Sequence, residues 1–170
     1  MSYSISTSRL EVSMPDSTSL LKLMPAEAMA VGVQASTWQE AIEAAGKGLV
    51  AGGITTSDYI DEMIQTVNTL GPYIVISPGF ALAHSRPSPS VQTTGLSWVT
   101  LAEPVEFGSK RNDPVKVVVG LAALDHDAHI VAMSQLARLI ADKSRFAQLS
   151  SLPSVEAVRE AIESYERNAQ

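Results

Sequence analysis

The chain contains no cysteine. That absence excludes disulfides, thiolate zinc sites and a cysteine nucleophile together. Long hydrophobic runs are missing too. The longest apolar stretch lies within "VKVVVGLAAL" (115–124), well short of the ~20 residues needed to cross a bilayer. The opening "MSYSISTSRLEVS" has no hydrophobic signal core, so a cytoplasmic protein is expected. Basic charge is in deficit, with 12 Lys and Arg against 18 Asp and Glu, a net charge of −6. A protein that grips a nucleic-acid backbone needs a clustered basic face, and that class is excluded. The one adjacent basic pair, Lys110-Arg111, is expected on a solvated loop. What remains is 45% apolar across 170 residues, enough for one compact domain with a sizeable core.

Residues 1–20 are rich in Ser and Thr without a sustained period and are expected to form a flexible N-terminal segment, with residues 21–170 as the domain. "AMAVGV" (28–33) reads as a short buried strand. Thr37 and Glu40 form a capping-box pair ahead of a helix whose face is Trp38, Ile42, Ala45 and Leu49, stopped by Gly52-Gly53. A second helix follows Thr56 or Ser57, with Tyr59, Ile60, Met63, Ile64 and Val67 on its apolar side. Gly71-Pro72 ends it. "YIVIS" and "FALAH" are β-like runs joined by the turn pair Pro78-Gly79. "TGLSWVTLAEPVEF" offers another strand, and "VKVVVGLAAL" a near-continuous apolar one that belongs at the centre of a sheet. "DAHIVAMSQLARLIAD" reads as a helix capped by Asp127, and "SVEAVREAIESYERN" as a closing amphipathic helix begun by Pro153-Ser154. The fold class expected is a layered α/β domain with a mixed sheet flanked by helices.

Chemistry centres on three histidines. His84, in "ISPGFALAHSRPSP" (76–89), stands where a strand ends and a proline-bounded loop begins. It is either a strand-end side chain bonded to nearby backbone or one exposed at the sheet mouth, where α/β folds place ligands. His129 is expected as the second residue of its helix. There the positive helix end favours an anion and a neutral imidazole, although a residue merely closing its turn fits equally. His126, in "DHDAH" (125–129), invites a metal reading with its neighbours. The cap role of Asp127 competes with that reading, and His126 is expected as a solvated loop residue. No GxxxxGK[ST] phosphate loop occurs, and Ser85 is merely next to His84 in sequence, which is not the spatial convergence a Ser-His pair requires.

"LGPYIVISPGFALAHSRP" resembles the active-site segment of the phosphotransferase-system enzyme IIA family of mannitol/fructose type (type 2), nearest its ascorbate-specific branch. The similarity runs on through "TGLSWVTLAEPVEFG" and "NDPVKVVVGLAALDHDAHIVAMSQLARLI", and covers about residues 30 to 165. The resemblance implies that His84 accepts a phosphoryl group from phospho-HPr and passes it to a cysteine of a separate enzyme IIB, which serves a membrane enzyme IIC. It also implies that His129 holds phosphate oxygens beside His84, and that Arg86 of the "HxRP" form offers its guanidinium to the phosphoryl dianion. No cofactor or metal is required by that scheme. The lack of cysteine agrees with it, because the phosphocysteine must lie on another chain. Ala83 stands where the family usually has proline. "MIQTVNTLG" (63–71) holds no basic residue where mannitol-type members carry arginine, in keeping with the ascorbate-like branch. The resemblance includes homodimers, for which an exposed apolar helix face would serve. The second expectation, from a different class, is an enzyme-IIA-like regulatory binding module whose phosphorylation tunes a partner. A metal site at "DHDAH" is the third.

Overall fold

The computed structural model describes residues 19–168; the expectation for residues 1–18 lies outside them. In chain order the elements are α1 (Leu20–Leu23), a 3-10 turn (Ala26–Ala28), β1 (Met29–Val33), α2 (Trp38–Ala51), α3 (Asp58–Leu70), β2 (Val75–Ser77) and β3 (Phe80–His84). They continue with β4 (Gly95–Leu96), β5 (Trp98–Val105), β6 (Val115–Ala122), α4 (His126–Ile140), α5 (Lys143–Ser151) and α6 (Val155–Asn168). The strands form a mixed sheet of order β1-β5-β6-β3-β2. β1–β5 and β3–β6 are parallel, while β2–β3 and β5–β6 are antiparallel.

The sheet is the middle of three layers. α2 and α3 bury Ile42, Leu49, Tyr59 and Met63 on one face, against Ala81, Val99 and Val118. On the other face α1, α4, α5 and α6 bury Leu20, Leu136, Leu149 and Ile162 against Phe80, Trp98 and Val119. Both faces of β6 are covered, and this is why "VKVVVGLAAL" is apolar almost without alternation. The expected α/β architecture with a mixed sheet is the one observed.

Several local expectations hold in atomic detail. Thr37 Oγ1 accepts from the Glu40 amide at 3.2 Å, and the Glu40 carboxylate reaches back to the Ser36 amide at 2.7 Å. The hairpin between β2 and β3 turns at Pro78-Gly79, where Gly79 adopts φ +78°. "TGLSWVTLAEPVEF" does run along one side of β6, but as β4 and β5, which share one register from Gly95 to Thr100 across a break at Ser97 before it shifts toward Val105. The Ser97 hydroxyl takes the Gly120 amide at 3.0 Å and donates to the Ala45 carbonyl at 2.7 Å. A side chain thus replaces one rung of the ladder and ties the sheet to α2.

Other expectations are corrected. Among the described residues β1 pairs only with β5, and its residues are mostly half-buried rather than buried. The cap of α4 is Asp125, not Asp127. Asp125 has extended backbone (φ −153°, ψ 176°), and its side chain accepts from the Ala128 amide. Asp127 already lies inside the first turn, where helical dihedrals exclude the cap geometry. The helix therefore starts at His126, and His129 is its fourth residue rather than its second. α5, capped by Asp142, has no clear signature in the sequence because its apolar face amounts to little more than Phe146 and Leu149. Ser19 and Leu20 are anchored: the Ser19 hydroxyl and the Leu20 amide both donate to the Glu166 carboxylate at 2.8 Å, and Leu20 is fully buried.

Candidate functional site

β3 and β6 are parallel neighbours, so their carboxyl ends open on the same side of the sheet. α4 begins just beyond β6. This is where open α/β sheets form ligand crevices. A cleft of about 570 Å³ lies there, lined among others by Glu62, Tyr73, His84, Arg86, His126 and His129.

His84 is the last residue of β3 and pairs with Leu121. Its Nδ1 lies 2.8 Å from the Leu82 carbonyl oxygen. A carbonyl only accepts, so the proton belongs on Nδ1 and the lone pair on Nε2. The Tyr73 hydroxyl stands 3.5 Å from Nε2, and the Tyr73 ring meets the imidazole edge-on at 5.8 Å. Both alternatives for His84 are therefore present in one ring: one nitrogen bonded to backbone, the other turned to the cleft with only the Tyr73 hydroxyl near it among the described residues. Ala83, in the position that favours proline in the resemblance, is buried within the same ladder.

His129 comes within 5.5 Å of His84, centroid to centroid, with the rings tilted by 55°. Burial is the largest cause lowering its pKa from 6.5, and the neighbouring His84 and His126 add to the effect. It is therefore held neutral near pH 7 and offers one N–H to an oxygen ligand. His126, expected on a loop, is the exposed first residue of α4 and lines the same cleft. Arg86 is exposed at the cleft rim and makes no hydrogen bond or ion pair among the described residues. The structure thus brings His84, Arg86 and His129 to one cleft. Among the described residues no three of His, Asp and Glu converge in a way that would hold a metal ion, and in "DHDAH" Asp125 is engaged as the cap.

Three further residues beside the cleft escaped the sequence. Tyr59 was legible only as part of an apolar helix face, yet its hydroxyl accepts from the Ser85 amide at 2.9 Å. It donates toward the Leu121 and Ser85 carbonyls at 2.9 and 3.1 Å. Burial pushes its pKa up to about 12, so it stays a donor. A tyrosine on a fully buried helix stripe is the signal that was available, since its hydroxyl must find a partner. Glu62 accepts from the hydroxyls of Ser88 and Ser90. Thr66 donates to the Glu62 carbonyl at 2.9 Å and receives the Ser85 hydroxyl at 3.0 Å.

The family described as "Phosphoenolpyruvate-dependent sugar phosphotransferase system, EIIA 2" matches residues 22–165. The chain belongs to this family. An ascorbate-specific PTS system EIIA component of Salmonella choleraesuis (strain SC-B67) is 37% identical over 131 residues, 76% of this chain and 85% of that protein. The solution structure of the mannitol-specific cryptic phosphotransferase enzyme IIA of Escherichia coli is similar at TM-score 0.75 and 30% identity. The match covers 85% of this chain and 97% of that one. The Escherichia coli complex of enzyme IIA and phosphorylated enzyme IIB for mannitol contains a chain similar at TM-score 0.73 and 28% identity, over 84% of this chain and 99% of that one. As an EIIA component, the chain is a phosphotransferase that passes phosphate along a sugar phosphotransferase system. Among the described residues no helix is long and apolar enough to cross a membrane.

Proposed function

We propose that this EIIA component accepts a phosphoryl group from phospho-HPr on Nε2 of His84 and hands it to a cysteine of a cognate enzyme IIB in the cytoplasm. The observation that carries the reading is the hydrogen bond from His84 Nδ1 to the Leu82 carbonyl, which reserves Nε2 as the nucleophile. In the first step the Nε2 lone pair attacks phosphorus, and the N–P bond forms as the bond to HPr breaks. In the second, a cysteine thiolate of enzyme IIB attacks. An S–P bond forms, the N–P bond breaks, and the electron pair returns to Nε2.

Phosphoryl transfer requires alignment and charge stabilisation more than covalent assistance. His129 offers an N–H beside His84, and Arg86 a guanidinium at the rim that is unpaired among the described residues. The membrane enzyme IIC receives the relay indirectly. The ascorbate-specific relatives support ascorbate as the transported sugar acid.

The test is intact mass after incubation with enzyme I, HPr and phosphoenolpyruvate. Wild type should gain one phosphoryl group that is acid-labile and base-stable, and His84→Ala none. Discharge of that group onto the cysteine of a purified enzyme IIB completes the assignment. No added mass on wild type, where another enzyme IIA is labelled in the same mixture, overturns it.

A further inference from the structure

Arg86 sits on the segment between β3 and β4, and that segment is held from one side by a single helix. Tyr59, Glu62 and Thr66 recur along α3 at spacings of three and four, which places them on one stripe. All three touch the segment: Tyr59 at the Ser85 backbone, Thr66 at the Ser85 hydroxyl, Glu62 at the hydroxyls of Ser88 and Ser90. Further back, the Thr56 amide donates to the Ser90 carbonyl at 2.8 Å and the Gln92 amide to the Ile54 carbonyl at 2.8 Å.

Glu62 is the one member of this stripe with a charge, and the one carboxylate among the described residues lining the cleft. A carboxylate beside the landing place of a phosphoryl dianion opposes binding by simple repulsion, and it also competes for any nearby guanidinium. Here neither carboxylate oxygen is free. One receives the Ser88 hydroxyl at 2.6 Å and the other the Ser90 hydroxyl. Ser88 Oγ in turn accepts the Ser90 amide at 3.1 Å, so the loop is cross-braced before it reaches Glu62. Arg86 lies two residues from Ser88 and forms no ion pair with Glu62.

We infer that Glu62 is a positioning residue for phosphoryl transfer: clamped by Ser88 and Ser90, it fixes the loop that carries Arg86 and is itself kept from pairing with that arginine. The inference rests on His84 being the phosphoryl acceptor. It assigns the serine pair two jobs. They brace the loop, and they spread the carboxylate charge over two donors so that Arg86 stays free for the phosphoryl oxygens.

The two jobs predict a pattern that simple loss of packing does not produce. Glu62→Ala frees the loop, and kcat for phosphoryl uptake from phospho-HPr falls about tenfold, in line with the penalty for small misplacements of a positioned group. KM for phospho-HPr changes less than twofold. Glu62→Gln recovers most of the rate, because an amide bonds to one serine as acceptor and to the other as donor. Ser88→Ala with Ser90→Ala is slower than Glu62→Ala, since a loose carboxylate now competes for Arg86. Adding Glu62→Ala to that pair restores the rate to the Glu62→Ala level.

Thermal melts of every variant accompany the kinetics, with His84→Ala as the reference for the acceptor. Wild-type kcat in Glu62→Ala, a serine double variant no slower than Glu62→Ala, or rate losses that follow the melting temperatures would each overturn the positioning role. Those outcomes leave the His84 assignment standing. Undiminished labelling of His84→Ala would instead remove the reading on which it rests.

Discussion

Tyr59→Phe removes one oxygen atom and leaves the ring in place, which makes its effect calculable. The hydroxyl serves three backbone groups: the buried Leu121 carbonyl at the end of β6, and the amide and carbonyl of Ser85. Ser85 is half-buried and can recruit water, whereas Leu121 is fully buried and cannot. One stranded buried acceptor costs about 1–3 kcal/mol. The expected loss is about 2 kcal/mol, which in a domain of this size lowers Tm by about 4–8 °C. Urea denaturation should report it as a fall in midpoint at unchanged m-value.

A second signature accompanies it. Tyr59 titrates near 10 when unfolded and about 12 when folded, because burial disfavours the phenolate. The stability this contributes is complete below pH 10 and is lost as pH rises toward 12, a limb that Tyr59→Phe lacks. A variant within ~0.5 kcal/mol of wild type at neutral pH, below the penalty for a stranded acceptor, with the alkaline limb intact, would refute the claim that this hydroxyl ties Ser85 to β6.

Two further outcomes follow from the same geometry. A Cβ on Gly120 would stand 2.5 Å from Ser97 Oγ and 3.1 Å from Leu49 Cδ1. The serine hydroxyl is already committed to two partners, so Gly120→Ala should destabilise by about 1–3 kcal/mol, as read by urea midpoint. A neutral result would mean that the Ser97 bridge yields freely. For His129, burial holds the folded pKa below 6.5. Its contribution is therefore present above pH 6.5 and lost as pH falls through the folded value. Stability profiles from pH 7.5 to 5 should be flatter in His129→Ala, and identical slopes would contradict the burial of that ring.

Legibility followed the range of the interaction. The Thr37 cap, the Pro78-Gly79 turn and the stop at Gly71 are decided within four residues, and each was readable in the sequence. The α4 cap was misassigned by two residues because "DHDAH" contains two aspartates with suitable spacing. Only the backbone dihedrals after β6 choose Asp125. β1 read as buried because an apolar run of five does not say how fully its two faces will be covered. His84 and Arg86 stood out through a motif, but Tyr59, Glu62 and Thr66 carry no local mark of function.

By itself the sequence determined the α/β class and the central place of "VKVVVGLAAL", because hydrophobic period and short-range caps are properties of neighbouring residues. Tertiary structure alone decided that His84 and His129 meet, 45 positions apart in the chain. It also decided which imidazole nitrogen is free and which carboxylate is silenced by two serines. Those facts depend on parallel pairing of β3 with β6 and on the packing of α3 across the sheet, contacts between distant segments that no local pattern encodes.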